Sequence, residues 1–196
     1  MVIFSIDLVL LIPALMISAT PVLLAAIGES VVEKSGVLNL GVEGMMITGA
    51  VIGFIIAVNT QIPIYGFICA AFAGAFLSVI FAILTQYMMS NQVATGLGLT
   101  MVGLGLSALI GKPYEGIKSP TLTKLEIPFL SDIPILGPMI FSHDAIVYFS
   151  IFIIALVAFV INKTRMGLVL RAVGENQEAA HALGYKVIRV RFVAIM

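Results

Sequence analysis

Two polar segments interrupt an otherwise apolar chain, and they hold the residues that could bind a solute or a partner protein. The first covers residues 28–46 and carries Glu29, Asn39 and Glu43 among several glycines. Asn39 and Glu43 are four positions apart, so one helical face could present both side chains. Ionisable groups at the edge of a membrane core are costly and often functional, and a broken helix there could offer backbone groups to a polar solute. The alternative is a connector whose glutamates are hydrated.

The second polar segment covers residues 171–184 and carries the signals of one short helix. Asn176 suits the N-cap, Glu178 lies in the first turn, and Gly184 suits the position just past the end. The residues between them are mostly small, so the pattern predicts a two-turn helix with a smooth surface. Such a helix between membrane spans suits insertion into the groove of another protein. The alternative is a simple amphipathic connector.

Several kinds of chemistry are excluded by the remaining residues. The two histidines, His143 and His181, lie on opposite sides of the membrane in the topology predicted below. No His, Cys or carboxylate cluster has metal-binding spacing. The stretch from Gly105 to Lys112 differs from a Walker A motif, because five residues separate its glycines and Pro113 follows the lysine. We therefore predict no catalytic residue, no metal and no cofactor. A net charge of +0 also argues against nucleic-acid binding.

The elements that must position these residues are membrane-spanning helices. The chain is 61% hydrophobic with a mean hydropathy of +1.17, and no charged residue lies between Gly44 and Gly111. One span needs about 20 apolar residues, and turn signals near Asn59–Pro63 and Ser90–Gln92 divide this run. We predict an all-α, polytopic transmembrane bundle forming one domain over residues 1–196, with about five complete spans plus the start of a sixth. The predicted spans are Leu8–Gly28 (kinked by Pro13 and Pro21), 44–58, 64–89, 93–110 and 145–162, and the sixth starts at 192–196.

The distribution of basic residues predicts the orientation. Six of the ten Lys and Arg residues lie in residues 163–191, so the positive-inside rule places that segment in the cytoplasm. Counting back through five spans makes residues 112–144 an external loop and places Ser90–Gln92 and Glu29–Glu43 inside. The N-terminus is then predicted outside.

Small residues at helical spacing line one face of each of three spans. Such faces let helices approach closely in lipid, and they predict helix contacts within the bundle. A role in helices that slide during transport is the less favoured interpretation. The faces consist of Gly49 and Gly53; Gly66, Ala70, Ala73 and Gly74; and Gly96, Thr100, Gly103 and Ser107.

Three stretches resemble one known family. Residues 36–46, reading GVLNLGVEGMM, resemble the signature of ABC-transporter permeases for nucleosides and simple sugars. Residues 171–184 resemble the EAA-like coupling segment of the same family, and Asn91–Gly96 matches a further family segment. Branched-chain amino-acid permeases share a related glycine–asparagine segment. Family members usually continue with more spans, so we expect this chain to be truncated at its C-terminus.

The resemblance implies a pore subunit in the cell membrane, embedded in the lipid bilayer and paired with a second permease. A cytoplasmic ABC ATPase subunit would hydrolyse ATP, and an external substrate-binding lipoprotein would deliver a nucleoside or, as second choice, a simple sugar. Residues 163–191 would be the cytoplasmic coupling segment. The candidates for the translocation path or its support are Asn39, Glu43, Asn91, Gln92, Thr95 and Thr100. The residues assigned to ATPase coupling are Gly174, Glu175, Asn176, Glu178, Ala179, Ala180 and Gly184.

Two other classes remain as alternatives. A secondary transporter or channel without ATPase partners would need an ion relay inside its spans, and no charge is present between Gly44 and Gly111. A membrane fragment without transport activity is the third class. Association with an ATPase subunit would distinguish the ABC permease from these two alternatives.

Overall fold

The computed structural model describes residues 8–120, 124–126 and 142–196. Helices dominate these residues, so the all-α prediction is confirmed. A π-helical turn, Ile83–Tyr87, extends the third helix, and a 3₁₀ turn, Lys112–Tyr114, follows the fourth. The helices are α1 (Leu8–Lys34), α2 (Val42–Thr60), α3 (Pro63–Ala82), α4 (Gln92–Gly111), α5 (Ala145–Lys163), α6 (Arg165–Glu175), α7 (Gln177–Ala182) and α8 (Val187–Ile195).

Five of these helices are long and apolar enough to cross a membrane, as the sequence predicts. They are α1, α2, α3 with its π-helical turn, α4 with its 3₁₀ turn, and α5. The predicted boundaries of the last four lie within two residues of the observed ones, except that the 3₁₀ turn extends the fourth span to Tyr114, four residues past its predicted end. The break predicted near Asn59–Pro63 forms where Gln61 adopts a left-handed conformation (φ 58°) and Pro63 begins α3.

The first span differs from its prediction at its C-terminal end. The predicted end is Gly28, but α1 continues to Lys34 and includes Glu29 and Glu33. The helix also continues through Pro13 and Pro21. Falling hydropathy marks where a helix leaves lipid, whereas its hydrogen bonding can continue further. The helix ends at Lys34, two residues before Gly36, which adopts a left-handed conformation.

The chain divides into two compact units. The first contains Met1–Ile27 and Leu122–Ala158, and the second contains Gly28–Thr121 and Phe159–Met196. In the first unit, strands β1 (Lys124–Glu126) and β2 (Ser142–Asp144) pair antiparallel, with Leu125 opposite His143. They lie within the predicted external loop at 112–144, of which residues 121–123 and 127–141 are outside the described part.

Helices α2 and α3 of the second unit pack antiparallel through glycines. A Cβ atom added to Gly53 would lie 2.8 Å from the carbonyl oxygen of Gly66, and one added to Gly66 would lie 2.6 Å from the carbonyl oxygen of Gly53. A Cβ atom on Gly49 would lie 3.1 Å from the carbonyl oxygen of Ala70. The two backbones therefore touch, and the small faces predicted on these spans are confirmed as packing surfaces.

Helices α2 and α4 of the second unit run parallel. Where the first turn of α2 meets the middle of α4, a Cβ atom on Gly44 would lie 2.6 Å from the Cα atom of Thr100, and Gly103 lies equally close to Gly44. At their other ends, the Asn59 side-chain amide donates a hydrogen bond of 3.1 Å to the Tyr114 hydroxyl. The small face predicted on α4 therefore packs against the start of α2.

The apolar core of the second unit lies where α1, α3 and α8 meet. Phe81 is fully buried there, and the rings of Tyr87 and Phe192 meet edge to face with centroids 5.8 Å apart. The residues predicted to start a sixth span thus belong to α8 and pack on α3. Most other large apolar side chains on the spans, such as Phe72 and Met101, are exposed, as expected of surfaces that face lipid. The buried cluster consists of Val32, Val37, Met45, Leu77, Phe81, Ala82, Leu99 and Ile195.

Candidate functional site

The turn segment, residues 35–41, connects α1 to α2. Gly36 has φ +80° and follows the end of α1; its N–H donates to the carbonyl of Glu33, and the N–H of Val37 donates to the carbonyl of Val32. This pair of hydrogen bonds is a Schellman motif, in which glycine supplies the left-handed conformation. Val32 and Val37 are both buried, which adds the apolar contact typical of the motif.

Asn39 organises the second half of the turn segment. Its side-chain oxygen accepts the Gly41 N–H at 2.9 Å, and its own N–H donates to the Glu29 carboxylate at 3.0 Å. Asn39 is buried, whereas Glu43 is exposed and lies on α2, which begins only at Val42. The prediction that one helical face presents both side chains is therefore wrong. The Asn39 side chain bonds the backbone two residues on, and this local turn replaces the helix there.

Two predicted pathway residues on α4 hold the turn segment from the other side. The Gln92 side-chain oxygen accepts the Leu38 N–H at 2.9 Å, and the Thr100 hydroxyl donates to the Leu40 carbonyl at 3.0 Å. The backbone also comes close, since a Cβ atom on Gly96 would lie 2.9 Å from the Gly41 nitrogen. Asn39, Gln92 and Thr100 thus converge on one irregular stretch of backbone.

The other two polar candidates, Asn91 and Thr95, stabilise the start of α4. The Asn91 side chain caps the helix by accepting the Ala94 N–H at 3.1 Å. The Thr95 hydroxyl donates to the Asn91 carbonyl at 2.8 Å and pairs with the Ser90 hydroxyl at 2.9 Å. Both side chains therefore bond to residues near them in sequence and not to the turn segment.

Glu29 belongs to the site, although it was not among the residues predicted for the translocation path. One carboxylate oxygen accepts the Asn39 N–H, while the other, Oε2, is buried and has no hydrogen-bond partner among the described residues. Its signal was available, because Glu29 is the first charged residue after a long uncharged run in α1.

The short helix predicted in the second polar segment is confirmed as α7. The Asn176 side chain caps it by accepting the Ala179 N–H at 2.9 Å. At the other end Gly184 has φ +87°, its N–H donates to the His181 carbonyl, and the Tyr185 N–H donates to the Ala180 carbonyl. This is a second Schellman motif. On α7 only Ala180 is buried; the other side chains are exposed.

Helix α6, which precedes α7, was not predicted. Thr164 caps it by accepting the Gly167 N–H at 3.3 Å, and the spacing of Met166, Val169 and Val173 is the signal that could have revealed it. Two of the predicted coupling residues, Gly174 and Glu175, form its last turn. A Cβ atom on Gly174 would collide with the Lys34 carbonyl at the end of α1.

Arg191 of α8 links the two predicted functional segments. Its Nε donates to the Ser35 carbonyl at 3.0 Å, and its Nη1 donates to the Gln177 side-chain oxygen at 3.1 Å. Ser35 is fully buried and Arg191 half-buried, and this burial lowers the pKa of the guanidinium from its ordinary value. In the sequence Arg191 is distinguished only by its positive charge, and no local pattern marks its contacts.

A cavity of about 650 Å³ lies between the π-helical turn, α7 and α8. The π-helical turn is closed by Ser90, whose N–H and hydroxyl both donate to the Leu84 carbonyl, and Met89 beside it has φ 54°. Polar side chains from α4, α7 and α8 line the cavity, among them Gln92, Glu178, His181 and Arg191. In the part of the chain that the structure describes, no group of His, Cys, Asp and Glu side chains could hold a metal ion.

The contacts of the second unit place three segments at one end of its helices. The turn segment, the α3–α4 link and α6–α8 meet there through Leu38–Gln92, Ser35–Arg191 and Tyr87–Phe192. Asn59 and Tyr114 mark the other end of α2 and α4. The predicted topology has these three segments on the same side of the membrane, and that part of it agrees with the structure.

These features define a multi-span helical membrane protein with a capped short helix beside its span ends. The family model described as "Branched-chain amino acid transport system / permease component" matches residues 11–196. The chain belongs to this family of ABC-transporter permeases, as the resemblance of its motifs indicated.

Relatives of known description agree with this membership. A putative glucose ABC transporter permease of Haloferax volcanii is 34% identical over 91% of this chain and 56% of its own length. A guanosine ABC transporter permease of Bacillus subtilis is 34% identical over 95% of this chain and 62% of its own length. A nucleoside ABC transporter permease of Lactococcus lactis is 28% identical over 93% and 61%. The chain thus spans 56% to 62% of these relatives. No solved structure is significantly similar to it.

Proposed function

We propose that this chain forms part of the transmembrane pore of an ATP-driven importer for nucleosides or simple sugars. The observation that carries the proposal is the family match over residues 11–196, together with relatives described as guanosine, nucleoside and glucose permeases. Nucleosides are the preferred solute class and simple sugars the second. The chain itself is not an enzyme in this proposal, because a separate ATPase subunit hydrolyses ATP.

The proposed orientation follows from charge. Residues 163–191 carry six of the ten basic residues, so the end of the second unit that contains α6–α8 faces the cytoplasm of a cell membrane. The N-terminus and the loop at 112–144 are then external, and residues 1–196 form one permease domain. The exposed helix α7 would occupy a groove of the cytoplasmic ATPase subunit. A second permease and an external substrate-binding lipoprotein complete the proposed assembly.

The pathway residues divide into two proposed roles. Glu43 is exposed at the start of α2 and would face the solute path. Asn39, Asn91, Gln92, Thr95 and Thr100 would support the path, since their hydrogen bonds hold the turn segment and the start of α4. Loose contact with the solute suits an importer whose external binding protein supplies specificity.

The proposal is tested by reconstitution with the second permease, the ABC ATPase and the binding protein from the same genome. We expect the ATPase to co-purify with the permease, and the proteoliposomes to take up labelled guanosine only with ATP. Unlabelled nucleosides should compete more strongly than glucose or leucine. Uptake that needs no ATPase would instead establish the secondary transporter or channel. If the chain neither associates with the ATPase nor supports uptake, the result would favour the non-transporting membrane fragment.

A further inference from the structure

Arg191 occupies a junction of three elements in the second unit. Its guanidinium joins the carbonyl of Ser35, just after α1, to the side chain of Gln177, the first residue of α7. Its Nη2 atom lies so near Gly36 that a Cβ atom there would be 3.0 Å away. A larger residue at position 36 would push the guanidinium away by a few tenths of an ångström.

The chemistry of arginine makes this junction stiff. The guanidinium is planar and always charged, and it presents its N–H groups in fixed directions, so the two acceptors are held at one angle. The Ser35 carbonyl belongs to the group of carbonyls that a helix end leaves unsatisfied, and a cation there is favourable. Lysine carries three rotatable donors on a flexible stem, so it would fix the angle between the two acceptors less firmly.

The turn segment connects the Arg191 junction to α4 through hydrogen bonds. Ser35 and Leu38 are three residues apart, and the Leu38 N–H is bound by Gln92 while the Leu40 carbonyl is bound by Thr100. Gly174 packs directly against Lys34 and Gly36, so α6 has no room to move toward α1. The start of α7 is therefore connected to α4 through short contacts.

We propose that Arg191 is the positioning residue that couples α7 to the turn segment, so that a displacement of α7 by the ATPase moves the turn segment and the start of α4. This rests on the proposed function. Arg191 contacts neither solute nor ATP in this role. Its removal separates ATP hydrolysis from solute movement rather than preventing assembly.

The test compares Arg191→Met with Arg189→Met in the assembled transporter. Arg189 is exposed on the same helix, and no hydrogen bond or ion pair joins its side chain to the residues that the structure describes. Three quantities are measured: ATPase co-purification, ATP hydrolysis, and solute taken up per ATP hydrolysed. For Arg191→Met we expect normal association but about tenfold less solute per ATP, since a hydrogen bond to a charged group is lost. Arg189→Met should match the wild type.

Two further variants make the outcome specific. Arg191→Lys keeps the charge and should recover part of the uptake per ATP. Gln177→Ala should lower the ratio by itself but add nothing to Arg191→Met, because both remove the same contact. If Arg191→Met does not insert, these two milder variants decide the question.

The inference and the proposed function fail in different ways. If the wild-type chain neither binds the ATPase nor transports, the proposed function is wrong. If the wild type transports but Arg191→Met keeps the solute-to-ATP ratio of Arg189→Met, the inference is wrong. Equal losses of association, hydrolysis and uptake would also overturn it, since they indicate a purely structural role.

Discussion

Gly174 and Gly36 are in direct backbone contact: a Cβ atom on Gly174 would lie 3.1 Å from the Gly36 nitrogen, and one on Gly36 would lie 3.1 Å from the Gly174 Cα. The two residues are far apart in sequence and belong to the two polar segments from which function was inferred. Their contact brings the end of α6 onto the end of α1. It joins the predicted coupling residues to the turn segment through their backbones.

Gly174→Ala should disturb this contact. The added methyl group would collide with the Lys34 carbonyl, and forced overpacking of this kind costs about 1–3 kcal/mol. We expect a lower thermal unfolding temperature in detergent and reduced ATP-driven uptake. Gly98→Ala on α4 is the control, because its new methyl group has nothing within 4 Å. Equal unfolding temperatures for the two variants would contradict the prediction.

Gly66→Ala should weaken the contact between α2 and α3. The new methyl group would lie 2.6 Å from the Gly53 carbonyl oxygen, so the helices must separate at a cost of about 1–3 kcal/mol. The effect is measured by thermal unfolding, with Gly105→Ala, which has open space, as the control. Gly53→Ala combined with Gly66→Ala should destabilise less than the two separate effects together, since they act on one crossing.

Glu29 provides a test of hydrogen bonding against charge. Glu29→Gln keeps an oxygen that can accept the Asn39 N–H, and it should leave stability and uptake near those of the wild type. Glu29→Leu leaves that buried N–H without an acceptor and should cost about 1–3 kcal/mol. Both variants are compared by thermal unfolding and uptake. A severe loss of uptake in Glu29→Gln, with stability unchanged, would mean that the charge itself is required.

Asn176→Ala should loosen α7 without changing its exposed surface. Loss of an N-cap costs about 1 kcal/mol, so the Ala179 amide should exchange its hydrogen about fivefold faster. Asn176→Ser keeps a capping oxygen and should exchange like the wild type. Hydrogen exchange followed by mass spectrometry measures both. If the Ala179 amide exchanges at the same rate in both variants, the Asn176 cap does not stabilise α7.

Bulky substitution on α7 tests ATPase binding. Ala179 is exposed, so Ala179→Trp should leave membrane insertion intact while blocking a groove that accepts a smooth helix. Ala180 is a poorer test site because it is buried and a large side chain there would disturb α7 itself. We expect Ala179→Trp to abolish co-purification with the ATPase and uptake, and Ala179→Ser to retain both. Normal association of Ala179→Trp would place the ATPase contact elsewhere.

The spans were predictable because length and hydropathy fix them. The charge-free run and the turn signals at Asn59–Pro63 located α2, α4, and α3 together with its π-helical turn, to within two residues. Local capping was equally readable: Asn176 and Gly184 predicted α7 because both act on neighbouring backbone. Glycine spacing predicted the faces at which Gly53 and Gly66 meet, although it did not say which helices would pair.

What the sequence did not reveal depends on distant contacts or on competing local bonds. Asn39 and Glu43 have helical spacing, but the Asn39 side chain holds the Gly41 N–H and delays the start of α2. Arg191 meets Ser35 across 156 positions of sequence, and no periodicity encodes such a pair. Gln92 and Thr100 were chosen as polar residues in spans, and only the fold shows that their target is the backbone of the turn segment.

Helix α7 satisfies its own ends, through Asn176 before it and Gly184 after it. Its shape is therefore maintained by residues that lie outside its outward surface. Ala179 and Ala182 on that surface can diverge independently of the membrane spans. In the proposed importer, substitutions at these positions would therefore change the surface offered to the ATPase while the transmembrane architecture stays the same.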